Sequence, residues 1–154
     1  MSDAAESFEE VRPDDPRVVG LYAGLGREAD ETRTVPIKPN TRPPADLVPP
    51  DATLLLVSLD GMPVAMGGVR DLDREIAEIK AMYVARAARR RGLARRLLTR
   101  LEEIAVVRGC SAVRLDTAAL LRPAVALYES AGYGRVAAYN ENPDADLWFE
   151  RKLG

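Results

Sequence analysis

Histidine is absent from the 154-residue sequence. That removes the commonest general base and the commonest transition-metal ligand. Ser–His and Cys–His nucleophilic machinery is excluded with it. Proton transfer falls to carboxylates, tyrosine, lysine or water, and no metal is expected. Cysteine occurs once, as Cys110, so no internal disulfide can form and the chain reads as cytoplasmic. Apart from Arg108, Cys110 has no basic neighbour to activate its thiol. Only 5% of residues are aromatic, with one tryptophan and two phenylalanines, too few to stack nucleic-acid bases. Apolar runs are strand-sized, so none is expected to span a membrane. The acidic first residues, MSDAAESFEEVRPDD, lack the apolar stretch of a secretory signal.

What is present is 47% hydrophobic and 30% charged, a composition that builds one domain with a buried core. The net charge of −2 hides an asymmetry. Residues 1–80 carry 9 basic and 16 acidic side chains, whereas residues 81–154 carry 13 and 8, and 7 of those 13 lie between Arg86 and Arg100. Such a patch suits a polyanion, either nucleic acid or a phosphorylated cofactor. The shortage of aromatics and the acidic first half argue against nucleic acid.

Along the chain, residues 7–12 read as a short strand. Asp14-Asp15-Pro16 then starts a helix that runs to about Arg33. Six prolines between Val35 and Pro50 forbid a regular helix or central strand and predict a stiff surface loop. Residues 53–59 and 63–69 form strands about an Asp60-Gly61 hairpin turn, with Gly67-Gly68 marking a bulge or a close approach. Residues 75–84 form a third strand. After a long helix come a strand over 112–117, a short helix over 123–130 capped by Gly132, and a closing strand pair, 135–139 with 146–153. This order predicts an α/β fold: a single mixed, mainly antiparallel twisted sheet flanked by helices. The chain is read as one domain over 1–154, with an N-terminal part to about 51 and a core over 52–153.

The most informative stretch runs from Ala77 to Arg108. Ile79, Met82, Tyr83 and Val84 make a buried strand. Leu93, Leu97, Leu101, Ile104 and Ala105 recur at helical spacing, with Arg95, Arg96 and Arg100 mostly on the other side. Between them lies Arg89-Arg90-Arg91-Gly92-Leu93-Ala94. A turn that opens a helix presents free backbone N–H groups and the positive end of the helix dipole. Gly92 and Ala94 let an anion approach the main chain. The site looks built for phosphate.

Arg89, Gly92 and Ala94 match [Q/R]-x-x-G-x-[G/A]. Ala124-Val125-Ala126-Leu127-Tyr128-Glu129-Ser130-Ala131-Gly132-Tyr133 matches A-x-x-L-Y-x-x-x-G-[F/Y]. In both motifs, and in the single strand between them, the sequence over about 52–153 resembles the GCN5-related N-acetyltransferase (GNAT) superfamily. The resemblance implies an acetyltransferase with acetyl-CoA as co-substrate. Its pyrophosphate would sit on the amides from Arg90 to Ala94, with charge added by Arg89, Arg90 and Arg91. Its pantetheine would lie along Met82, Tyr83 and Val84, in a gap between the fourth and fifth strands. Leu93 and Arg95 complete the expected cofactor contacts.

Tyr128 occupies the position that serves as general acid to the departing sulfur in many relatives; the alternative is a packing residue. Glu78 is the candidate base, with structural pairing to Arg70 or Arg114 as its alternative. Asp116 and Thr117 end their strand where they could touch cofactor or acceptor, with structural capping as the alternative. Many relatives carry an asparagine in the region that here reads Ala118-Ala119-Leu120-Leu121-Arg122-Pro123, where no side chain can be assigned that job; Arg122 could instead reach a phosphate. The acceptor is expected to be a small-molecule amine, with no nucleic-acid or membrane partner and with a homodimer left open. Its walls would be the first helix, the proline-rich loop and residues 140–144. There Glu28, Asp30, Glu31, Asp144 and Asp146 slightly outnumber Arg27, Arg33, Lys38 and Arg42, which favours a cation. Protein N-termini or lysines, or acyl-CoA binding without catalysis, are the alternatives.

Overall fold

Alternating and continuous apolar runs over residues 52–84 pair as three adjacent antiparallel strands, the centre of the sheet in a computed structural model. Residues 5–31 and 44–154 are described, the side chains of 29 and 30 excepted. The elements are β1 (Glu6–Val11), α1 (Pro16–Glu31), β2 (Ala52–Leu59), β3 (Met62–Asp71), β4 (Ile76–Val84), α2 (Leu93–Val107), β5 (Ala112–Thr117), α3 (Arg122–Ser130), β6 (Gly134–Arg135) and β7 (Leu147–Lys152). One seven-stranded sheet runs β1-β2-β3-β4-β5-β7-β6. Every neighbouring pair is antiparallel except β4–β5, which is parallel as the helical crossover requires. Arg33, Lys38, Arg42 and most of the proline-rich segment lie outside the described residues.

Local chemistry explains the boundaries. The Asp15 carboxylate accepts the Arg17 N–H at 2.9 Å and Pro16 follows, which starts α1. Asp60 and Gly61, with φ of 50° and 81°, form a two-residue turn of the twist that a β2–β3 hairpin needs. Gly132, at φ 92°, follows the end of α3 in the left-handed conformation.

Two cores sandwich the sheet. On one face α2 buries Leu93, Leu97, Leu98, Leu101 and Ala105 with Phe149, Tyr128 and Tyr133. On the other, Val18, Leu47, Leu54, Leu56 and Met66 gather under α1. Gly67 is where α2 presses closest. A Cβ there would come within 2.9 Å of Leu101 Cδ1, and Leu101 is itself fully buried.

The ladder between β4 and β5 is short. Register runs Ile76↔Ala112, Ala77↔Val113 and Glu78↔Arg114, then stops, although β4 continues to Val84 and β5 to Thr117. The strands part beside a bulge. β3–β4 register passes from Gly68↔Lys80 to Met66↔Tyr83, leaving Ala81 and Met82 opposite Gly67. Ala81 has φ 58°, an uncommon conformation for alanine that costs about 1–2 kcal/mol. The extra residue resets the alternation. Ile79, Met82 and Val84 all pack on the α2 core, while Ala81 and Tyr83 pack on the α1 core.

One expected element is much shorter than the sequence suggests. The strand read over 135–139 is only Gly134–Arg135, followed by a single further bond from Val136 N–H to Trp148 O. Residues 139–142 spend their polar groups on β4 and β5 rather than on a ladder.

These packing differences predict opposite outcomes for one substitution at two sites. Gly67→Ala should cost about 1–3 kcal/mol in urea unfolding, because buried Leu101 must give way. Gly20→Ala, in α1 with nothing within 4 Å of the new methyl, should stabilise by about 0.5–1 kcal/mol.

Candidate active site

Where β4 and β5 part, a cleft of about 820 Å³ opens, lined from both faces of the sheet. α1, residues 142–145, the turn before α2, the start of α2 and α3 all contribute to its walls. From Ile79 to Val84, β4 has β3 along one edge and, among the described residues, no strand along the other.

The turn is built for an anion. Arg90 and Gly92 are both left-handed, at φ 67° and 73°. Gly92 caps α2 with no side-chain hydrogen bond, and the first i→i−4 bond runs from Arg96 N–H to Gly92 O. Among the described residues, the N–H groups of Leu93, Ala94 and Arg95 therefore have no acceptor. Free amides at the positive end of a helix dipole bind phosphate well.

The arginines divide in role. Arg89 also lines the cleft, but its guanidinium is engaged: its Nε donates to Val84 O at 3.0 Å, it pairs with Glu28 of α1 through a hydrogen bond, and it lies 5.7 Å over the Tyr83 ring. That hydrogen bond holds the Glu28 carboxyl below its ordinary range. Burial, then the Glu28 charge, pushes the Tyr83 phenol up. Arg89 thus fastens the end of β4 to α1. Arg90 and Arg95 line the cleft, and Arg95 also reaches Ser130 Oγ at 3.4 Å. Arg91 is exposed and outside the lining, its carbonyl held by Arg96 at 2.9 Å.

Tyr128 combines both of its expected properties. Its ring is 5% exposed, packed 5.9 Å from Tyr133 and 6.2 Å from Phe149. Its hydroxyl has no hydrogen-bond partner among the described residues, and it belongs to a side chain that lines the cleft. Burial above all, then the charge of Asp116, raises its pKa well beyond the ordinary tyrosine value.

Glu78 is fully buried and lies behind the cleft lining. Oε1 accepts from Arg70 Nε at 3.0 Å and lies 2.8 Å from Arg70 Nη2. Oε2 accepts from the Tyr139 hydroxyl at 2.6 Å and lies 3.5 Å from Lys80 Nζ. The partner is Arg70; Arg114 bonds Glu150 instead. Asp116 is engaged in the same manner. Lys80 Nζ lies 3.3 Å and 3.1 Å from its two oxygens, while Asn142 reaches Oδ1 at 3.2 Å and Asn140 reaches Oδ2 at 2.7 Å. Trp148 Nε1 donates to Asn140 Oδ1 at 2.9 Å. A carboxylate has about four acceptor sites, so each of these two is close to full.

Sequence reasoning located the turn, the open strand edge and Tyr128. It named residues 140–144 as a wall without giving Asn140 or Asn142 a role, and it missed Lys80 and Tyr139. One signal was available for Lys80: a lysine two residues after Glu78 in a central strand that is otherwise apolar calls for a partner when buried. Of the acceptor-side carboxylates it weighed, Glu28 binds Arg89, Glu31 binds Arg86, and Asp146 accepts the Ala119 N–H at 2.6 Å. Asp144 lines the cleft. Cys110 is buried and its thiol is pushed up by burial, in keeping with an inert residue. No helix among the described residues is long and apolar enough to cross a membrane.

Comparison with known proteins agrees with this geometry. Residues 22–133 match the model of the Acetyltransferase (GNAT) family. The chain is 32% identical over 111 residues to an IAA acetyltransferase of Azospirillum brasilense, covering 70% of this chain and 72% of that protein. A putative acyl-CoA N-acyltransferase structure from Klebsiella pneumoniae superposes with TM-score 0.81 at 26% identity, over 99% of this chain and 100% of that one. A putative acetyltransferase from Salmonella typhimurium, solved with its cofactor acetyl-CoA, shares the fold at TM-score 0.69 and 16% identity, over 98% and 95% of the two chains. The chain belongs to the GNAT family of acetyltransferases.

Proposed function

We propose that this acetyltransferase moves the acetyl group of acetyl-CoA onto a primary amine of a small molecule, in the cytoplasm, by direct attack within a ternary complex. The observation that carries this reading is the Tyr128 side chain, whose hydroxyl has no partner among the described residues, in the cleft that is also lined by the α2 start, whose first amides have no acceptor among them. Those amides, the left-handed Arg90 and Gly92, and the side chains of Arg90 and Arg95 fit a pyrophosphate. The open edge of β4 at Met82, Tyr83 and Val84 offers backbone groups to an amide-bearing arm laid beside it. Leu93 and Ala94 contribute main chain only.

The amine attacks the thioester carbonyl carbon as a C–N bond forms and the C–S bond breaks. Tyr128 gives its proton to the departing sulfur, which needs one, and recovers it from solvent. Such assistance is worth about 10²–10⁴ in rate. Glu78, already bonded to Arg70 and Tyr139, holds the floor of the acceptor end, and we assign the amine's surplus proton to water in the cleft. A small acceptor is supported by the concave shape of the cleft, to which Tyr22 and Leu25 of α1 and Asn142 and Asp144 all contribute.

Thiol release from acetyl-CoA should be tested across polyamines, amino acids, aminoglycosides and short peptides. Turnover is expected on small amines; turnover confined to peptides would overturn the small-molecule reading. Gly92→Val adds a branched side chain at a left-handed position and should weaken acetyl-CoA binding by more than about tenfold (~1.4 kcal/mol) in calorimetry, with the fold retained.

Tyr128→Phe should lower kcat by about 10–10³ and leave acetyl-CoA affinity nearly unchanged. The sign of the pH dependence follows from the raised pKa. The acid form persists above the ordinary tyrosine value of about 10, so kcat should not decline through loss of this proton at any lower pH. An alkaline fall near pH 8 that disappears in Tyr128→Phe would contradict it.

A further inference from the structure

Past the last backbone-paired residues of β4 and β5, Glu78 and Arg114, one side-chain bridge crosses the widening gap. Lys80 and Asp116 each stand two residues beyond that pair, so they occupy the next position on the same face of their strands. Backbone bonding needs neighbouring strands about 4.8 Å apart. A lysine stem spans more than a peptide group can, and here it reaches both Asp116 oxygens, at 3.1 and 3.3 Å. Neither end is free to drift. Asp116 is held from its other side by Asn140 and Asn142, and Asn140 in turn by Trp148. Lys80 is also 3.5 Å from Glu78, which Arg70 and Tyr139 fix. Both side chains are well buried, at 16% and 7% exposure, yet both residues line the cleft. A buried ion pair anchored this way is expensive to desolvate and no better than an apolar pair for stability alone, which points to a positional role.

We propose that Lys80 is a positioning residue, whose clamp on Asp116 fixes the width of the β4–β5 gap and thereby the depth at which the thioester end of acetyl-CoA lies beside Tyr128. This rests on the acetyl-CoA reading above. The Lys80–Asp116 pair shares no hydrogen bond or ion pair with the Arg90–Arg95 turn among the described residues, so its effect is expected at the thioester end of the ligand rather than at the nucleotide end.

The test compares two ligands by calorimetry: acetyl-CoA, and adenosine 3′,5′-bisphosphate, which carries the nucleotide end only. Because Lys80→Met alone strands a buried carboxylate, the informative variant is Lys80→Met/Asp116→Leu, which removes both charges, alongside Lys80→Arg, which can still span the gap. The double variant should bind acetyl-CoA about tenfold or more weakly while its affinity for the bisphosphate changes less than about twofold; Lys80→Arg should stay within about threefold of wild type for both. A general loss of packing would weaken the two ligands together. Equal weakening of both ligands, or unchanged acetyl-CoA affinity in a folded double variant, overturns the clamp. Failure of the wild-type chain to bind acetyl-CoA would instead overturn the reading on which it rests.

Discussion

A parallel strand pair that stops after three residues organises this molecule. Everything on either side of the break is conventional packing, with leucines of α2 on one face and Val18, Leu47 and Leu56 on the other. At the break, β4 loses a neighbour along one edge while still held by β3 on the other. The left-handed Ala81 makes the departure permanent, because the register on either side of it differs by one residue and cannot slide back without turning Met82 and Val84 out of the core. Strain of about 1–2 kcal/mol at one alanine is offset by the burial of Val84, worth about 1.5–3 kcal/mol, and the partial burial of Met82.

The same break decides where charge can be placed. An open sheet edge in the interior leaves backbone groups that need partners, and a cleft there draws polar side chains toward it. The described residues answer in two ways. At the helical end the amides of Leu93, Ala94 and Arg95 are left free, a positive site awaiting an anion. At the sheet end, by contrast, the carboxylates of Glu78 and Asp116 are close to fully bonded. One end of the cleft is therefore receptive, and the other is rigid.

That difference also marks how much could be read from the sequence. The turn at Arg89–Ala94 was legible because it is local: a glycine that must be left-handed, followed by a helix whose apolar spacing is plain over fifteen residues. Tyr128 was legible for the same reason, sitting in a short helix with its own motif. Strand boundaries in β2 to β5 agreed with expectation to within a residue or two, since their apolar runs are long. The sheet-end network was not legible. It joins Arg70, Glu78, Lys80, Asp116, Tyr139, Asn140 and Asn142 across four segments, and no spacing rule connects them. Asn140 and Asn142 looked like turn residues between two strands, and competition for them by Asp116 is what shortened β6 to Gly134–Arg135. Ala81 gave no warning either, as alanine is among the residues least expected at positive φ.

The division between a free hydroxyl and two engaged carboxylates bears on how the reaction manages protons without histidine. A general base needs a lone pair aimed at its substrate. Glu78 has Arg70 and Tyr139 on its oxygens and Lys80 nearby, and it lies behind the cleft lining. To accept a proton it would have to give up the Tyr139 hydroxyl, which has no other partner among the described residues, or loosen Arg70 and Lys80, which keep Asp46 and Asp116 as second partners; an unpaired buried hydroxyl costs about 1–3 kcal/mol. Tyr128 faces no such penalty. Its hydroxyl has nothing to give up, and burial together with the nearby Asp116 charge keeps it protonated. The asymmetry favours a site in which the protein controls the proton delivered to the leaving sulfur and lets solvent take the one released by the amine, provided the amine reaches the cleft neutral. Asp116 then acts at two distances: it closes the gap through Lys80, and through its charge it keeps the acid beside that gap an acid.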